Sequence, residues 1–253
     1  SPRHVQRGAA NGAETPQATT AAAGAAGTDL GDGHAGDAAV HGDDERDALA
    51  IQRFEQIHHV LCRHEQGAGF IAQGMARVSG RPEVCLASSG PGATNLITAI
   101  ADAKLDSIPM IALTGQVPLS MIGTDAFQEV DTYGLTIPIT KHNFLVRSAK
   151  DLLEVIPAAF RIAMSDRPGP VLVDVPKDVQ NQRIEVGAWP EPGRADAVAA
   201  PNADLVTQAA AMINAAERPL LYLGGGVVHS GASAQAVELA EKASLPTVMT
   251  LMA

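Results

Sequence analysis

A strand-length apolar run that leads into a glycine turn and a helix is the feature that most constrains this chain. Residues 83–87 (EVCLA) have the length of a strand, and residues 88–95 (SSGPGATN) supply the turn and the start of the helix. The same order recurs, since a helical pattern at 93–105 precedes another apolar run at 108–114. Alternating elements of this kind predict an open parallel α/β sheet.

Further elements extend this pattern over a predicted domain at residues 49–180. The segment 150–164 has helical spacing of its apolar positions, and Pro157 should kink that helix or mark a boundary in it. The run 171–175 is apolar apart from Asp174, which is typical of a strand covered on both faces. An earlier predicted helix at 68–78 has an apolar side made of Phe70, Ile71, Met75 and Val78.

A second unit follows this domain. Residues 181–202 are rich in Pro, Gly, Ala and Glu, and we interpret them as a linker. Residues 203–253 then repeat the order helix, strand, glycine turn, helix and strand, which predicts part of a second parallel α/β domain. Because the chain lacks an initiating methionine and ends directly after a predicted strand, we expect it to be a fragment.

The first 48 residues differ in composition from the rest. They contain thirteen alanines and eight glycines, with only Val5, Leu30 and Val40 as larger aliphatic side chains, so they cannot bury a core. Eight acidic residues against three arginines give this head half of the formal net charge of -10. We expect a disordered or aberrant head, which is either a natural extension or the product of a reading-frame error.

The charge and the cysteines narrow the class of protein. A net charge of -10 argues against a nucleic-acid partner, because little basic surface is left to neutralise phosphates. No apolar run reaches transmembrane length. Cys62 and Cys85 are far apart and fall in segments that we expect to be buried, which suits a reducing cytosol better than a disulfide framework. We therefore expect a soluble, cytoplasmic protein.

Several ordered blocks carry a resemblance to a known family. The blocks join polar or glycine residues to predicted strands and helices: RHEQG at 63–67, ASSGPGATN at 87–95, LTGQVP at 113–118, IGTDAFQE at 122–129, TKHN at 140–143, RPGP at 167–170 and VPKD at 175–178. In this order they resemble the thiamine-diphosphate enzymes, most closely the catalytic subunit of acetohydroxyacid synthase. The resemblance implies a pyrimidine-binding domain over 49–180 and the start of an FAD-binding middle domain over 203–253.

By this resemblance, Glu65 is the glutamate that hydrogen-bonds the aminopyrimidine ring of thiamine diphosphate and favours its imino tautomer. A carboxylate suits this role because it can share a proton with a ring nitrogen in a dry pocket. An isolated glutamate at a helix start more often only complements the helix dipole. The surrounding block favours the catalytic role for Glu65.

The same resemblance assigns the other site residues. The residues expected to contact the thiamine ring are Gly90, Pro91, Gly92 and Asn95. The residues expected on the substrate side are Phe127 and Gln128, with Lys177 lining the approach channel. A solvated loop lysine is an equally good interpretation of Lys177. The residues expected to hold FAD are Arg167, Gly224, Gly225, Gly226, Thr250 and Leu251, and the three glycines alone are a weak signal.

The implied enzyme condenses pyruvate with a second pyruvate or with 2-oxobutyrate, in the biosynthesis of valine, leucine and isoleucine. The resemblance also implies a homodimer or higher oligomer, a small regulatory subunit, and thiamine diphosphate, FAD and Mg²⁺ as cofactors. Because Gly31-Asp32-Gly33 lies in the head without a preceding strand, we assign no metal ligand here and expect the magnesium site in a further C-terminal domain. We accordingly expect no activity from the chain alone.

Three alternatives remain open at this point. One is another thiamine-diphosphate carboligase or decarboxylase, such as glyoxylate carboligase. A second is a non-catalytic nucleotide-binding module, which would share the α/β pattern. The third is a zinc hydrolase, since His58, His59, Cys62, His64 and Glu65 crowd five potential ligands together, with His58 and Cys62 at helical spacing.

Overall fold

Parallel strands joined by helices build the larger unit of the chain, as the alternating pattern predicts. The computed structural model describes residues 19–23 and 58–253. Among these residues, six strands form one parallel sheet in the order β2-β1-β3-β4-β6-β5. The strands are β1 (Thr19–Ala23), β2 (His58–Cys62), β3 (Glu83–Ala87), β4 (Met110–Gln116), β5 (His142–Leu145) and β6 (Pro170–Pro176).

Helices connect these strands and lie on both faces of the sheet. They are α1 (Glu65–Ser79), α2 (Pro91–Asn95), α3 (Ile97–Asp106), α4 (Thr132–Thr136), α5 (Leu152–Met164) and α6 (Lys177–Gln180), with short 3-10 turns at Leu119–Met121, Ile137–Ile139 and Ala149–Asp151. The strand-to-helix order confirms the predicted fold class, an open parallel α/β sheet.

The core follows the two-residue period of the strands. In β4, Met110 and Ala112 pack with α1 and α3 on one face of the sheet, whereas Ile111 packs with α5 on the other. Leu172 and Val173 in β6 divide between the same two faces. Because both faces are covered, these strands are continuously apolar rather than alternating.

The buried face of α1 differs from the predicted one. Phe70, Ile71 and Val78, expected on the apolar side, are exposed. The buried apolar side chains are those of Ala68, Ala72 and Ala76. Alanine lets α1 lie close to the sheet and to α3, so the larger apolar side chains are left on the outer side of the helix.

Pro157 does not end the helix in which it lies. The helix α5 continues from Leu152 to Met164 across it, so the predicted boundary is wrong. Because proline has no backbone N–H, Pro157 removes only one intrahelical hydrogen bond, the one that residue 157 would donate to the carbonyl of Leu153. Burial of Ala159 and Ala163 against the sheet helps to hold the helix together.

The head contributes one strand that composition did not predict. Thr19–Ala23 pairs in parallel with β2 on one side and with β3 on the other. A strand inserted between two others satisfies its backbone N–H and C=O groups whatever its side chains are. For this reason the composition of the head did not predict the strand. This strand lies within residues 1–48, and the interpretation of that segment as a disordered or aberrant head stays a prediction. The rest of the head lies outside the described residues.

A second, smaller unit follows residue 202. It contains α7 (Ala203–Ala215), β7 (Leu221–Leu223), α8 (Gly225–His229), α9 (Ser233–Lys242) and β8 (Thr247–Met249), with β7 and β8 parallel. Residues 181–202 contain neither helix nor strand, and their role as a linker stays a prediction. This segment contacts α5, where Arg161 Nη1 pairs with Asp196 Oδ2 at 3.0 Å. None of the helices in the described part of the chain has the length and apolarity needed to cross a membrane.

Candidate functional site

Predicted site residues of the larger unit follow the carboxyl ends of three strands, except Arg167, which precedes β6. Glu65 comes after β2, Gly90 after β3, and Lys177 after β6. These strands are parallel, so their carboxyl ends meet at the same edge. In open α/β sheets this edge is where ligands bind.

The position of Glu65 is set by the start of α1. His64 Nδ1 accepts a hydrogen bond from the backbone N–H of Gln66 at 3.1 Å, and this cap begins the helix at Glu65. Gly80 ends the helix in the left-handed conformation. The cap also uses Nδ1 of His64, one of the two ring nitrogens that the zinc interpretation had available at this residue.

Glu65 is buried and points at a neighbouring helix. Its exposed fraction is 6%, and Asn95 Nδ2 donates a hydrogen bond to Oε2 at 3.0 Å. A Cβ at Gly92 would lie 3.4 Å from Oε1 and would displace Ser88 Oγ, so glycine at 92 lets the turn lie beside the carboxylate with Ser88 in place. A glutamate that merely complemented the helix dipole would point into solvent. This one is held in place by Asn95 on α2.

Gly90 contacts the chain itself. A Cβ there would lie 2.5 Å from the backbone oxygen of Gln128 and 2.9 Å from its Cα. The φ of Gly90 is +59° and its ψ is -116°, a conformation that other residues rarely adopt. The backbone of Gln128 therefore approaches Gly90 closely, which brings the segment around Gln128 against the turn, and the contact of this turn with a cofactor ring stays a prediction.

That segment, residues 117–131, is called the 117–131 loop below. Gln116 holds its two ends together, because its Oε1 accepts from the N–H of Val117 at 2.9 Å and its Nε2 donates to the carbonyl of Val130 at 2.9 Å. The side chains of Phe127 and Gln128 are exposed. The structure therefore brings the backbone of Gln128 to the site but leaves these two side chains in solvent.

A buried carboxylate that the sequence interpretation assigned no role lies beneath this loop. Asp174 in β6 is 1% exposed and accepts hydrogen bonds from Thr114 Oγ1 at 2.7 Å and from Gln116 Nε2 at 3.0 Å. Burial raises the pKa of Asp174 to about 6, the two hydrogen bonds act to lower it, and the nearby carboxylate of Asp131 raises it further. The sequence feature that could have identified Asp174 is its position as the single acidic residue in the apolar run 171–175.

Substitution of Asp174 by Asn should change how stability depends on pH. The ordinary pKa is 3.8, so between about pH 4 and pH 6 the folded state binds this proton more tightly than the unfolded state does. The free energy of unfolding therefore falls as pH rises through that window, by up to about 3 kcal/mol. Asp174→Asn removes the titration and keeps an oxygen that can accept from Gln116. Urea unfolding of both proteins should show that the free energy of unfolding of the variant, relative to that of the wild type, is higher at pH 7 than at pH 4. A difference between the two proteins that is the same at both pH values would contradict this account.

Two further predicted residues occupy defined positions. Lys177 is the first residue of α6 at the same edge of the sheet, and its side chain is exposed. Arg167 donates from Nε to Ser107 Oγ at 2.7 Å and from Nη2 to the carbonyl of Leu105 at 3.1 Å. These bonds cap the C-terminal end of α3, so Arg167 has a structural use in this chain apart from any cofactor contact.

In the smaller unit, the predicted FAD residues come together at the ends of two adjacent strands. Gly224 follows β7 and caps α8, where Gly225 and Gly226 form the first turn, so the predicted glycine turn continues as a short helix. A Cβ at Gly224 would lie 4.0 Å from Thr250 Oγ1, and the N–H of Thr250 donates to the carbonyl of Leu223 at 2.9 Å. Leu251, by contrast, is 99% exposed.

The zinc interpretation relied on a helical spacing that is wrong. His58–Cys62 is the strand β2, in which residues four apart do not lie on adjacent helical turns. Burial raises the pKa of the Cys85 thiol to about 12 and also raises that of Cys62, so neither is a ready thiolate ligand. Within the described part of the chain, no group of three or more His, Cys, Asp or Glu residues is close enough to hold a metal ion.

Comparison with known families agrees with this arrangement. Residues 39–135 match the thiamine pyrophosphate enzyme N-terminal TPP binding domain, and residues 206–253 match the thiamine pyrophosphate enzyme central domain. The chain belongs to the thiamine pyrophosphate enzymes. The first match begins inside the head, and the predicted domain boundaries at 48 and 180 stay predictions.

Within that class, the chain is similar to individual acetolactate synthases. The chain is 65% identical over 206 residues to the acetolactate synthase isozyme 1 large subunit of Escherichia coli, which covers 81% of this chain and 36% of that protein. It is 52% identical to the acetolactate synthase large subunit of Corynebacterium glutamicum (78% of this chain, 32% of that protein) and 54% identical to the acetolactate synthase of Mycobacterium bovis (79% and 32%). The chain thus spans about a third of the length of these relatives.

Proposed function

We propose that this chain is part of the catalytic subunit of an acetohydroxyacid synthase. The observation that carries the proposal is the buried carboxylate of Glu65, held by Asn95 at the carboxyl edge of a parallel sheet. The names of the similar proteins support the same activity. The reaction would decarboxylate pyruvate and join the remaining two carbons to pyruvate or 2-oxobutyrate, in branched-chain amino acid biosynthesis. Neither glyoxylate carboligase nor a nucleotide-binding module is favoured by these relatives.

The residues around Glu65 fit the aminopyrimidine ring of thiamine diphosphate. When bound, this cofactor supplies the nucleophilic carbon that attacks a 2-oxo acid and the electron sink for loss of CO₂. Glu65 would hold or release a proton at a ring nitrogen, which a carboxylate shielded from water does well. Asn95 fixes the carboxylate by its bond to Oε2, and Gly92 leaves room on the side of Oε1. Pro91 and Asn95 are exposed, so the site is open on that side.

The substrate side of the site would be lined by Phe127, Gln128 and Lys177. Support comes from their position at the same edge as Glu65 and from the contact between the Gln128 backbone and Gly90. The exposed side chains of Phe127 and Gln128 are available to close over a bound 2-oxo acid. Lys177 would attract the carboxylate of the incoming substrate.

FAD and Mg²⁺ complete the proposed cofactor set. The three glycines after β7 and the neighbouring Thr250 fit a dinucleotide, because residues 224–226 carry no side chain of their own over the backbone where β7 ends, with Met252 packed beside Gly225. Arg167 and Leu251 belong to the same proposed FAD site. Mg²⁺, which would bind the cofactor diphosphate, is assigned to no residue of this chain.

The protein would form an oligomer with a small regulatory subunit in the cytoplasm. Large apolar side chains exposed on β2, α1 and α3 support contact with a second copy, and they are Leu61, Phe70, Ile71, Val78 and Leu105. The two free cysteines support a reducing compartment. The regulatory subunit follows from the "large subunit" in the names of two relatives.

The activity is tested with a full-length version of the protein. Purified enzyme with thiamine diphosphate, Mg²⁺ and FAD is given pyruvate alone, pyruvate with 2-oxobutyrate, or glyoxylate alone, and the products are identified by mass. We expect acetolactate from the first mixture and acetohydroxybutyrate in addition from the second. Product from glyoxylate alone, or turnover no greater than the protein-free blank in every mixture, would overturn the proposal. The visible spectrum of the purified protein tests flavin binding separately.

A further inference from the structure

The 117–131 loop turns a sharp corner at residues 122–129, and one carboxylate lies at the centre of that corner. Glu129 Oε2 accepts a hydrogen bond from the N–H of Ala126 at 2.8 Å, and its Oε1 accepts one from the N–H of Gly123. These bonds, with smaller contributions from the N–H groups of Thr124 and Asp125, lower the pKa of Glu129, so the carboxylate is ionised at neutral pH. The backbone of residues 123–126 is thus folded around a negative charge.

The corner needs such an anchor because its backbone is strained. Asp125 has a φ of +57° and Gln128 a φ of +58°, values that side-chain-bearing residues seldom adopt. Strained backbone of this kind persists only where surrounding contacts impose it, and it is concentrated at functional sites. The two strained residues lie on either side of Ala126 and Phe127, so the corner that carries Phe127 is the part that Glu129 holds.

The anchored corner lies against the glycine turn of the site. The backbone oxygen of Gln128 occupies the space where Gly90 would otherwise carry a Cβ. A shift of the corner by a fraction of an ångström therefore moves Gln128 relative to the turn that precedes α2. In the part of the chain that the structure describes, Glu129 makes its hydrogen bonds to Gly123 and Ala126 and none to that turn, so its effect passes through Gln128.

We propose that Glu129 is a positioning residue that fixes the Phe127–Gln128 corner beside the Gly90 turn and thereby sets how the substrate side of the site is presented. This inference rests on the proposed function for the role of Phe127 and Gln128. Glutamine is the informative replacement at 129, because it keeps the length and offers only one acceptor oxygen. Its NH₂ group would then face a backbone N–H, and one of the two donors would lose its partner.

The experiment is a double-mutant cycle in the full-length protein. Glu129→Gln should lower kcat/KM for pyruvate about tenfold or more, since charge-assisted hydrogen bonds are lost. The combined change Phe127→Ala and Gln128→Ala should lower it as well, and adding Glu129→Gln to that variant should cost little more, because Glu129 acts through these two residues. Glu154→Gln, an exposed glutamate on α5, is the matched control and should leave kcat/KM unchanged. Wild-type kcat/KM in Glu129→Gln, or a loss from Glu129→Gln that is as large in the combined variant as in the wild type, would overturn the proposal.

A second measurement does not depend on activity. Limited chymotrypsin digestion should cut Glu129→Gln after Phe127 several times faster than wild type, while the bond after Phe144 in β5 stays protected. If the wild type made no acetolactate, the proposed function would fail, and this digestion alone would still decide the role of Glu129. An unchanged rate at Phe127, or equal loss of protection at Phe144, would overturn it.

Discussion

Replacement of Glu65 by Gln in the full-length protein should lower turnover about 100-fold or more while leaving the fold intact. The amide keeps the size of the side chain, and its oxygen can still accept from Asn95 Nδ2. It cannot take up or give back the proton that activation of the aminopyrimidine ring requires, and proton transfer of this kind contributes on the order of 100-fold or more. Steady-state kinetics with pyruvate and urea unfolding of the same preparation measure the two effects.

The matched control for this prediction is Asn95→Ala. That variant keeps the carboxylate of Glu65 but removes the group that holds it, so we expect a smaller loss of turnover than in Glu65→Gln. Unchanged activity in Glu65→Gln would refute the catalytic role. If Asn95→Ala were as inactive as Glu65→Gln, orientation of the carboxylate would matter as much as its proton.

Replacement of Gly90 by Ala should cost about 4 kcal/mol of folding stability. Two effects add at this position. The backbone conformation, φ +59° and ψ -116°, is one that a side chain makes costly, and the new Cβ would lie 2.5 Å from the backbone oxygen of Gln128. That oxygen belongs to the backbone and cannot swing aside, so the 117–131 loop must move away. We expect a lower midpoint of urea unfolding and faster cleavage of the loop.

Gly80→Ala is the control for a positive φ without a collision. Gly80 has a φ of +67° and a ψ of +14°, and a Cβ there would meet nothing within 4 Å. This variant should lose only about 1–2 kcal/mol, the cost of a left-handed alanine. Equal losses at positions 80 and 90 would mean that neither the contact with Gln128 nor the ψ of -116° at Gly90 adds to the cost.

The pattern of the chain was sufficient to predict the fold class and the place of the main carboxylate. Apolar runs of strand length at 83–87 and 171–175, each joined to a helix, specify parallel strands because only a covered strand can be apolar on both faces. The block around Glu65 placed that residue at a helix start, and the structure has it there. The sequence also predicted that the two glycine turns follow strands, and in the structure they come directly after β3 and β7.

Only the tertiary structure decided which residues touch across the sheet edge. Thr114 and Asp174 are sixty residues apart in the chain and become partners through the register of β4 and β6, which no local period encodes. The same holds for Gly90 and Gln128, whose contact depends on how the 117–131 loop folds back over the turn. The periodicity of α1 showed that it has a buried face, but packing distance selected Ala68 and Ala72 over Phe70. Periodicity reports the direction of a side chain, whereas contact requires the distance between elements, and that distance is fixed only when the whole sheet has assembled.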